Sequence, residues 1–314
     1  MRSRPWRLVV AGAALAALTV ACGEVNDERN ASSQPQGASL RVTIGTQEFP
    51  EARVLGELWR QALAVNGYTV DLRKGVGPAE DLDQALKDGD VDGYVAYTGT
   101  VLSIVAGEEV SGLDPDQTYD RAQEFYAGQD MVMSGMTPFQ NKDAIATTTA
   151  FAEENGLATI ADLAPLEEVV LGARPEFEDL ELGLAGLQEV YGLDNVTFSP
   201  VELGEQYAAL DRGEADAVDA FTTDPQLGSG DYALLEDPEL LFGSQNVAMV
   251  VSRDKLDSID ADAFMGVVDA VNAELTEDAM VQMNAEVTGG RTDEVVAREF
   301  LRGAGLDEPL RGES

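Results

Sequence analysis

Two stretches of this chain repeat one another. Residues 85–100 read ALKDGDVDGYVAYTGT and residues 209–224 read ALDRGEADAVDAFTTD. Each gives the end of an apolar-patterned helix, a glycine turn, an acidic strand entry, and an aromatic residue followed by threonine. Gly89 aligns with Gly213, Tyr97 with Phe221 and Thr98 with Thr222. A second pair lies upstream, VTIGTQEF at 42–49 and VVLGARPEF at 169–177. Each is a strand stopped by a glycine, Gly45 or Gly172. Helical patterns follow, Val54-Leu55-Leu58-Trp59-Ala62-Leu63 and Leu184-Leu187-Val190-Tyr191, whose spacings of three and four put these residues on one face. Both helices end at a glycine, Gly67 or Gly192, and hand over to a strand, YTVDL or VTF.

A chain that twice runs strand, glycine loop, helix, strand, helix, strand is expected to build two similar lobes. The expected class is α/β, each lobe a mostly parallel sheet flanked by helices. Ligands in such sheets sit beyond the carboxyl ends of the strands. The loops 45–49, 97–100, 172–177 and 221–224 all lie at such ends, so two facing sheets would gather them around one cleft. A strand at 144–150 passes into the second lobe and one at 246–252 returns to the first. Lobe one is then discontinuous, 39–140 plus 247–305, and lobe two is 141–246. Residues 254–305 read as helices, with Ala263, Phe264, Val267, Val268, Val271 and Leu275 as an apolar stripe. The charged stretch 306–314 reads as a loose tail.

The first segment points to export. Arg2, Arg4 and Arg7 precede an apolar run from Leu8 to Ala21 that ends at Cys22. A basic start and a short apolar run read as a bacterial signal peptide over 1–21. Cys22 is the only cysteine, which excludes an intramolecular disulfide. Its place after Leu18-Thr19-Val20-Ala21 suggests a lipobox, with the leucine one position early; an ordinary signal cut nearby is the alternative. Residues 22–38 are polar and read as a flexible tether. The formal net charge of −38 argues against nucleic acid or anionic lipid surfaces as partners. With no histidine, a His-based triad and a His-ligated metal are excluded.

IGTQEF, DGYVAYTGT, GLQEVYGL, YAALDRGEADAVDAFTTD and YALLED together resemble the glycine betaine/choline-type substrate-binding proteins of ABC transporters, the osmoprotectant family. The likeness runs from about residue 41 to about 253 and is weaker beyond. It implies a periplasmic-binding-protein fold of type II, a Venus flytrap, that closes on a quaternary ammonium solute and docks on an ABC permease. A trimethylammonium group donates no hydrogen bond, so aromatic faces suit it, at about 0.5–2 kcal/mol each. By the resemblance, Tyr97, Tyr207 and Tyr232 match three tyrosines of a four-residue aromatic cage. The fourth falls in PFQNKDAIA, where Asp143 stands. Asp143 there would favour an exposed positive charge, unless a shifted alignment puts it on the surface.

The family's two basic partners for a betaine carboxylate correspond here to Gln47 and Leu180. Arg174 either reaches the cleft in their stead or is solvated. Thr98 and Thr100 are candidate hydroxyl contacts, with Thr222, Thr223 and Asp224 on the opposite wall. This set favours choline or another cation without a carboxylate. A betaine of the ergothioneine or hercynine kind, a polyamine-like cation, and a ligand-sensing lipoprotein without transport stay open. The remaining expectations are a monomer, no cofactor and no metal. Asp88, Asp90 and Asp92 imitate an EF-hand loop, but its twelfth position is Gly99 rather than glutamate. No nucleophile motif, P-loop or dinucleotide fingerprint supports an enzyme.

Overall fold

The computed structural model describes residues 40–202 and 204–310. The export segment and the whole tether, Cys22 included, lie outside the described residues. The described chain has strands β1 (Arg41–Gly45), β2 (Thr69–Arg73), β3 (Gly93–Tyr97), β4 (Met131–Met133) and β5 (Asp143–Thr148). Then come β6 (Val169–Ala173), β7 (Val196–Pro200), β8 (Ala217–Phe221), β9 (Tyr232–Leu235) and β10 (Val247–Ser252). They form two five-stranded sheets, ordered β2-β1-β3-β10-β4 and β7-β6-β8-β5-β9. Position by position the two orders correspond, so the duplication in the sequence is a duplication in topology. In each sheet four strands run one way, and one, β10 or β5, runs against them. That opposed strand is the one that arrives from the other lobe.

The repeated residues hold repeated positions. Gly45 pairs with Tyr94 and Gly172 with Val218 at the ends of β1 and β6. A methyl on Gly45 would meet Leu82 Cδ2 at 2.7 Å, and one on Gly172 would meet Ala215 Cβ at 3.0 Å. Both glycines let a later part of the same lobe approach the strand closely. Asp92 Oδ2 accepts from the Thr43 amide at 2.8 Å, and Asp216 Oδ2 accepts from the Val170 amide at 2.8 Å. The calcium-like aspartate Asp92 is therefore a strand tie that also pairs with Lys255 at 3.2 Å. Its counterpart Asp216 makes the same tie without the calcium-like spacing.

The helix Pro50–Val65 buries its whole predicted stripe against the first sheet. Phe264, Val267, Val268, Val271 and Leu275 join it from the C-terminal helices. Trp59 donates to Asn272 Oδ1 at 2.8 Å inside this core. Ala263 is exposed in the first turn of its helix, where its amide donates to the Asp260 cap. In the second lobe Leu187 and Tyr191 are buried but Val190 is exposed, so that stripe is narrower than the spacing suggests. The stretch from 306 is tied back rather than loose over its described part: Leu306 packs on the first core and the Leu310 amide donates to Asn66. Among the described residues, no helix is long and apolar enough to cross a membrane.

Losing either strand tie leaves a partly buried amide unmet, which costs about 1–3 kcal/mol. Asp92→Ala and Asp216→Ala are each expected to lower urea-unfolding stability by that amount. Calcium added to the wild type is expected to leave its melting temperature unchanged.

Candidate ligand-binding cleft

The chain crosses between the lobes twice, at residues 140–143 and 244–247, and the crossings lie side by side through a bridge between Gln140 and Asn246. Backbone bonds at the two strand ends repeat: the Thr98 amide donates to Asn246 O at 2.9 Å, and the Thr222 amide to Lys142 O at 3.1 Å. Above this junction is a cleft of two compartments that meet at Phe49, Asn141 and Phe221. Each holds about 360 Å³, inside the roughly 300–1,000 Å³ range of small-molecule sites. One is walled by Phe49, Pro50, Glu51, Phe221, Thr223, Asp224, Pro225 and Asn284. The other is walled by Gln47, Phe49, Tyr97, Thr100, Lys142, Asp143, Phe221, Phe242 and Gln245, among others.

Of the residues singled out in the sequence, Gln47, Tyr97, Thr100 and Asp143 stand in the second compartment's wall, and Thr223 and Asp224 in the first's. Tyr97 stacks at a tilt on Phe49, 5.8 Å between centroids, and donates its hydroxyl to Glu51 Oε1 at 2.9 Å. Burial, with Glu51 adding to it, holds its phenol well above the usual range. Gln47 donates to Val95 O at 3.3 Å. The Thr100 amide and hydroxyl both donate to Gln245 Oε1, at 3.0 and 3.3 Å.

The other residues are placed differently. Thr98 is fully buried below the wall. Thr222 serves the junction, donating to Gln140 O at 2.7 Å and accepting from the Lys142 amide at 3.2 Å. Tyr207 and Tyr232 are not in the wall of either compartment. They pack edge to face on each other at 4.7 Å within the second lobe. The Tyr207 hydroxyl donates to Asp224 Oδ2 at 2.9 Å, and that of Tyr232 to Asp211 Oδ1 at 2.8 Å. Tyr232 and Thr222 instead line an outer cavity beside the helix Glu277–Thr288. The expected cage of three tyrosines is therefore not assembled around one point.

Asp143 and Arg174 do meet, though not as separate ligand contacts. Arg174 donates to Asp143 Oδ1 at 2.8 Å and to Asp219 Oδ2 at 2.6 Å, beneath the wall. Its guanidinium lies over the rings of Phe177 and Phe221, at 5.2 and 5.6 Å. Burial, outweighing Arg174, holds both aspartyl groups above the usual carboxylate range. With two carboxylates already on it, Arg174 has little left for a ligand anion. Lys142 is the basic side chain in the wall, and it lies 3.7 Å from Asp237.

Sequence reasoning passed over Phe49, Glu51, Phe221, Phe242, Asn141 and Asn284. Phe49 and Phe221 were within the loops it named, and the alignment of Tyr97 with Phe221 was the available signal for the second. Glu51 is almost fully buried and accepts from Tyr97, from Asn141 Nδ2 at 2.9 Å and from Asn284 Nδ2 at 2.9 Å. Asn284 also donates to Thr223 O at 3.0 Å, so it ties Glu51 of the first lobe to the second.

Removing Arg174 strands two carboxylates, one of them fully buried. Arg174→Met is expected to destabilise the fold by about 3–5 kcal/mol near neutral pH. A carboxyl whose folded pKa is raised stabilises most below its unfolded pKa and loses that contribution as pH rises through the folded value. Without the arginine both pKa values rise further, so the loss should be larger at pH 8 than at pH 5. Denaturant melts of the two proteins at both pH values check this.

The fold has known counterparts. A solved structure titled as a glycine betaine/carnitine/choline ABC transporter superposes with a TM-score of 0.79, 23% identity, and coverage of 85% of this chain and 100% of that one. Apo YehZ from Escherichia coli gives 0.74 at 22% identity, covering 85% and 99%. These likenesses establish the two-lobed type II fold. A glycine-betaine-binding protein of Pseudomonas aeruginosa is 29% identical over 87% of this chain and 90% of its own length. An ergothioneine transport permease/binding protein of Helicobacter pylori is 22% identical over 84% of this chain and 48% of its own length. The model of the substrate-binding domain of ABC-type glycine betaine transport systems, a transport family rather than an enzyme family, matches residues 41–303, and this chain belongs to that family.

Proposed function

We propose that this protein captures a quaternary ammonium solute in the inter-lobe cleft and delivers it to an ABC permease, held at the outer face of the cytoplasmic membrane by a lipid on Cys22. The reading is carried by a wall in which Phe49 and Phe221 stand beside a buried carboxylate, Glu51, that accepts from Tyr97, with Phe242 in the adjoining compartment. Aromatic faces and a desolvated negative charge attract a cation that donates no hydrogen bond. Arg174 is engaged by Asp143 and Asp219, so the cleft offers no free arginine clamp for a ligand carboxylate, which favours choline over glycine betaine. A longer zwitterion is the second reading. Lys142 in the second compartment could meet its anionic end while the cation lies beyond Phe49 and Phe221. Closure of the lobes on the solute would complete the wall and present both lobes to the permease.

Calorimetry with choline, glycine betaine, carnitine, ergothioneine and a polyamine tests the reading. A quaternary ammonium compound is expected to bind with micromolar or tighter affinity, and binding by none of them sinks it. Tyr97→Ala should weaken the best ligand by about tenfold, the loss of one desolvated aromatic contact. Tyr232→Ala, outside the cleft, should leave its affinity unchanged. Mass spectrometry of the membrane-extracted protein should find the lipid on Cys22, and Cys22→Ser should release the protein.

A further inference from the structure

The apolar compartment has two carboxylates in its wall, one from each lobe. Glu51 is in the first turn of the helix Pro50–Val65, which packs on the first sheet, and Asp224 follows β8 of the second sheet. Every hydrogen-bond donor to Glu51 named above is neutral: Tyr97, Asn141 and Asn284. The donors to Asp224 are the Tyr207 hydroxyl and the Phe221 amide, each at 2.9 Å, and these are neutral too. Neutral donors fill lone pairs without supplying a counter-charge. No lysine or arginine stands among the residues of this wall. Burial holds the Asp224 carboxyl above its usual range, and the like charges of Asp219 and Glu51 push it the same way.

We propose that Glu51 and Asp224 form a two-lobe carboxylate clamp that receives the cationic head of the solute between Phe49 and Phe221 and so draws the lobes together. The clamp rests on the reading of the cleft as a cation-capturing site and names the groups that meet the charge. Without the solute, two negative charges face one small apolar space and oppose closure. With it, each carboxylate gains a counter-ion where water is excluded and Coulomb attraction is strong. The same geometry selects the kind of cation. Glu51 already accepts three hydrogen bonds and Asp224 two, all from the protein. A primary ammonium has three N–H groups to satisfy and would need all of the roughly three acceptor sites the two carboxylates leave free, which are split between the lobes. A methylated ammonium needs none and lays its methyls on Phe49, Pro50, Phe221 and Pro225.

Calorimetry on the full chain with choline, or with the tightest quaternary ammonium ligand if choline is not that ligand, tests the clamp. Asp224→Asn is the cleaner variant. Both hydrogen bonds to Asp224 fall on Oδ2, and an amide oxygen there accepts both while the charge is removed. Glu51→Gln is tolerable as well. The Asn141 Oδ1 atom has no partner, so a flip of that amide lets it accept from the new side chain. Each variant is expected to bind the cation at least about tenfold more weakly, the scale of one lost desolvated charge contact. Each should bind the neutral carbon isostere 3,3-dimethylbutan-1-ol as the wild type does. Ligand-free melting curves check folding, and if Glu51→Gln does not fold, Asp224→Asn decides alone. Wild-type affinity for the cation in the folded variants overturns the clamp and leaves cation capture standing. Failure of the wild type to bind any quaternary ammonium compound overturns both.

Discussion

The paired crossing of the chain between the lobes is the constraint on which the rest depends. Each crossing delivers a strand into the other sheet against the direction of its neighbours, β5 beside β8 and β10 beside β3. A purely parallel repeat could be closed within one lobe. The antiparallel insertion couples the two sheets and fixes which ends face each other. The loops at the carboxyl ends of β1, β3 and β8 then line one cleft. Around this junction lie several buried acceptors without a partner among the described residues: Gln47 Oε1, Thr98 Oγ1, Asn141 Oδ1, Asn246 Oδ1 and Asn284 Oδ1. An unmet buried acceptor costs about 1–3 kcal/mol. Asn195 Oδ1 and Gln226 Oε1, in the second lobe, are unmet as well, so most but not all of these atoms lie where the lobes join.

Much of the architecture was readable because it is written twice. Gly45 and Gly172, Asp92 and Asp216, and Tyr97 and Phe221 hold matching places in two sheets of the same order. Local patterns also placed the helix Pro50–Val65 and its apolar face. The direction of a side chain at the edge of a lobe was less accessible. Tyr207 and Tyr232 pack on each other, and neither ring stands in the wall of the cleft. Nothing in the spacing of the two residues reveals that contact. Arg174, Asp143 and Asp219 are far apart in the chain and meet only because β6, β8 and β5 are adjacent in the sheet. An ion pair formed across strands is visible only once the strand order is known.

The same packing changes what the tyrosines do. In a cage they would offer ring faces to a cation. Here Tyr97 and Tyr207 turn their hydroxyls to Glu51 and Asp224, one pair in each lobe. A phenol that donates to a buried carboxylate fixes its position and fills a lone pair, but it leaves the charge unopposed. Recognition then shifts from ring quadrupoles toward formal charge, with Phe49 and Phe221 as the aromatic surfaces beside it. Under the proposed clamp, such a site would discriminate strongly between a cation and a neutral solute of the same shape.

The engagement of Arg174 acts in the same direction. A guanidinium free in the cleft would hold a ligand carboxylate by a bidentate pair. Bound to Asp143 and Asp219 and lying over two phenyl rings, it supports the wall from behind. Releasing it to a ligand would strand Asp219, which is fully buried. The anionic end of a zwitterion is therefore left with Lys142, whose own charge is partly met by Asp237. Asp237 in turn fixes the amides of Leu241 and Phe242, which sets Phe242 in the wall. A carboxylate that drew Lys142 away would weaken that support. On the proposed reading, the cleft rewards positive charge directly and accepts negative charge only at the expense of its own frame.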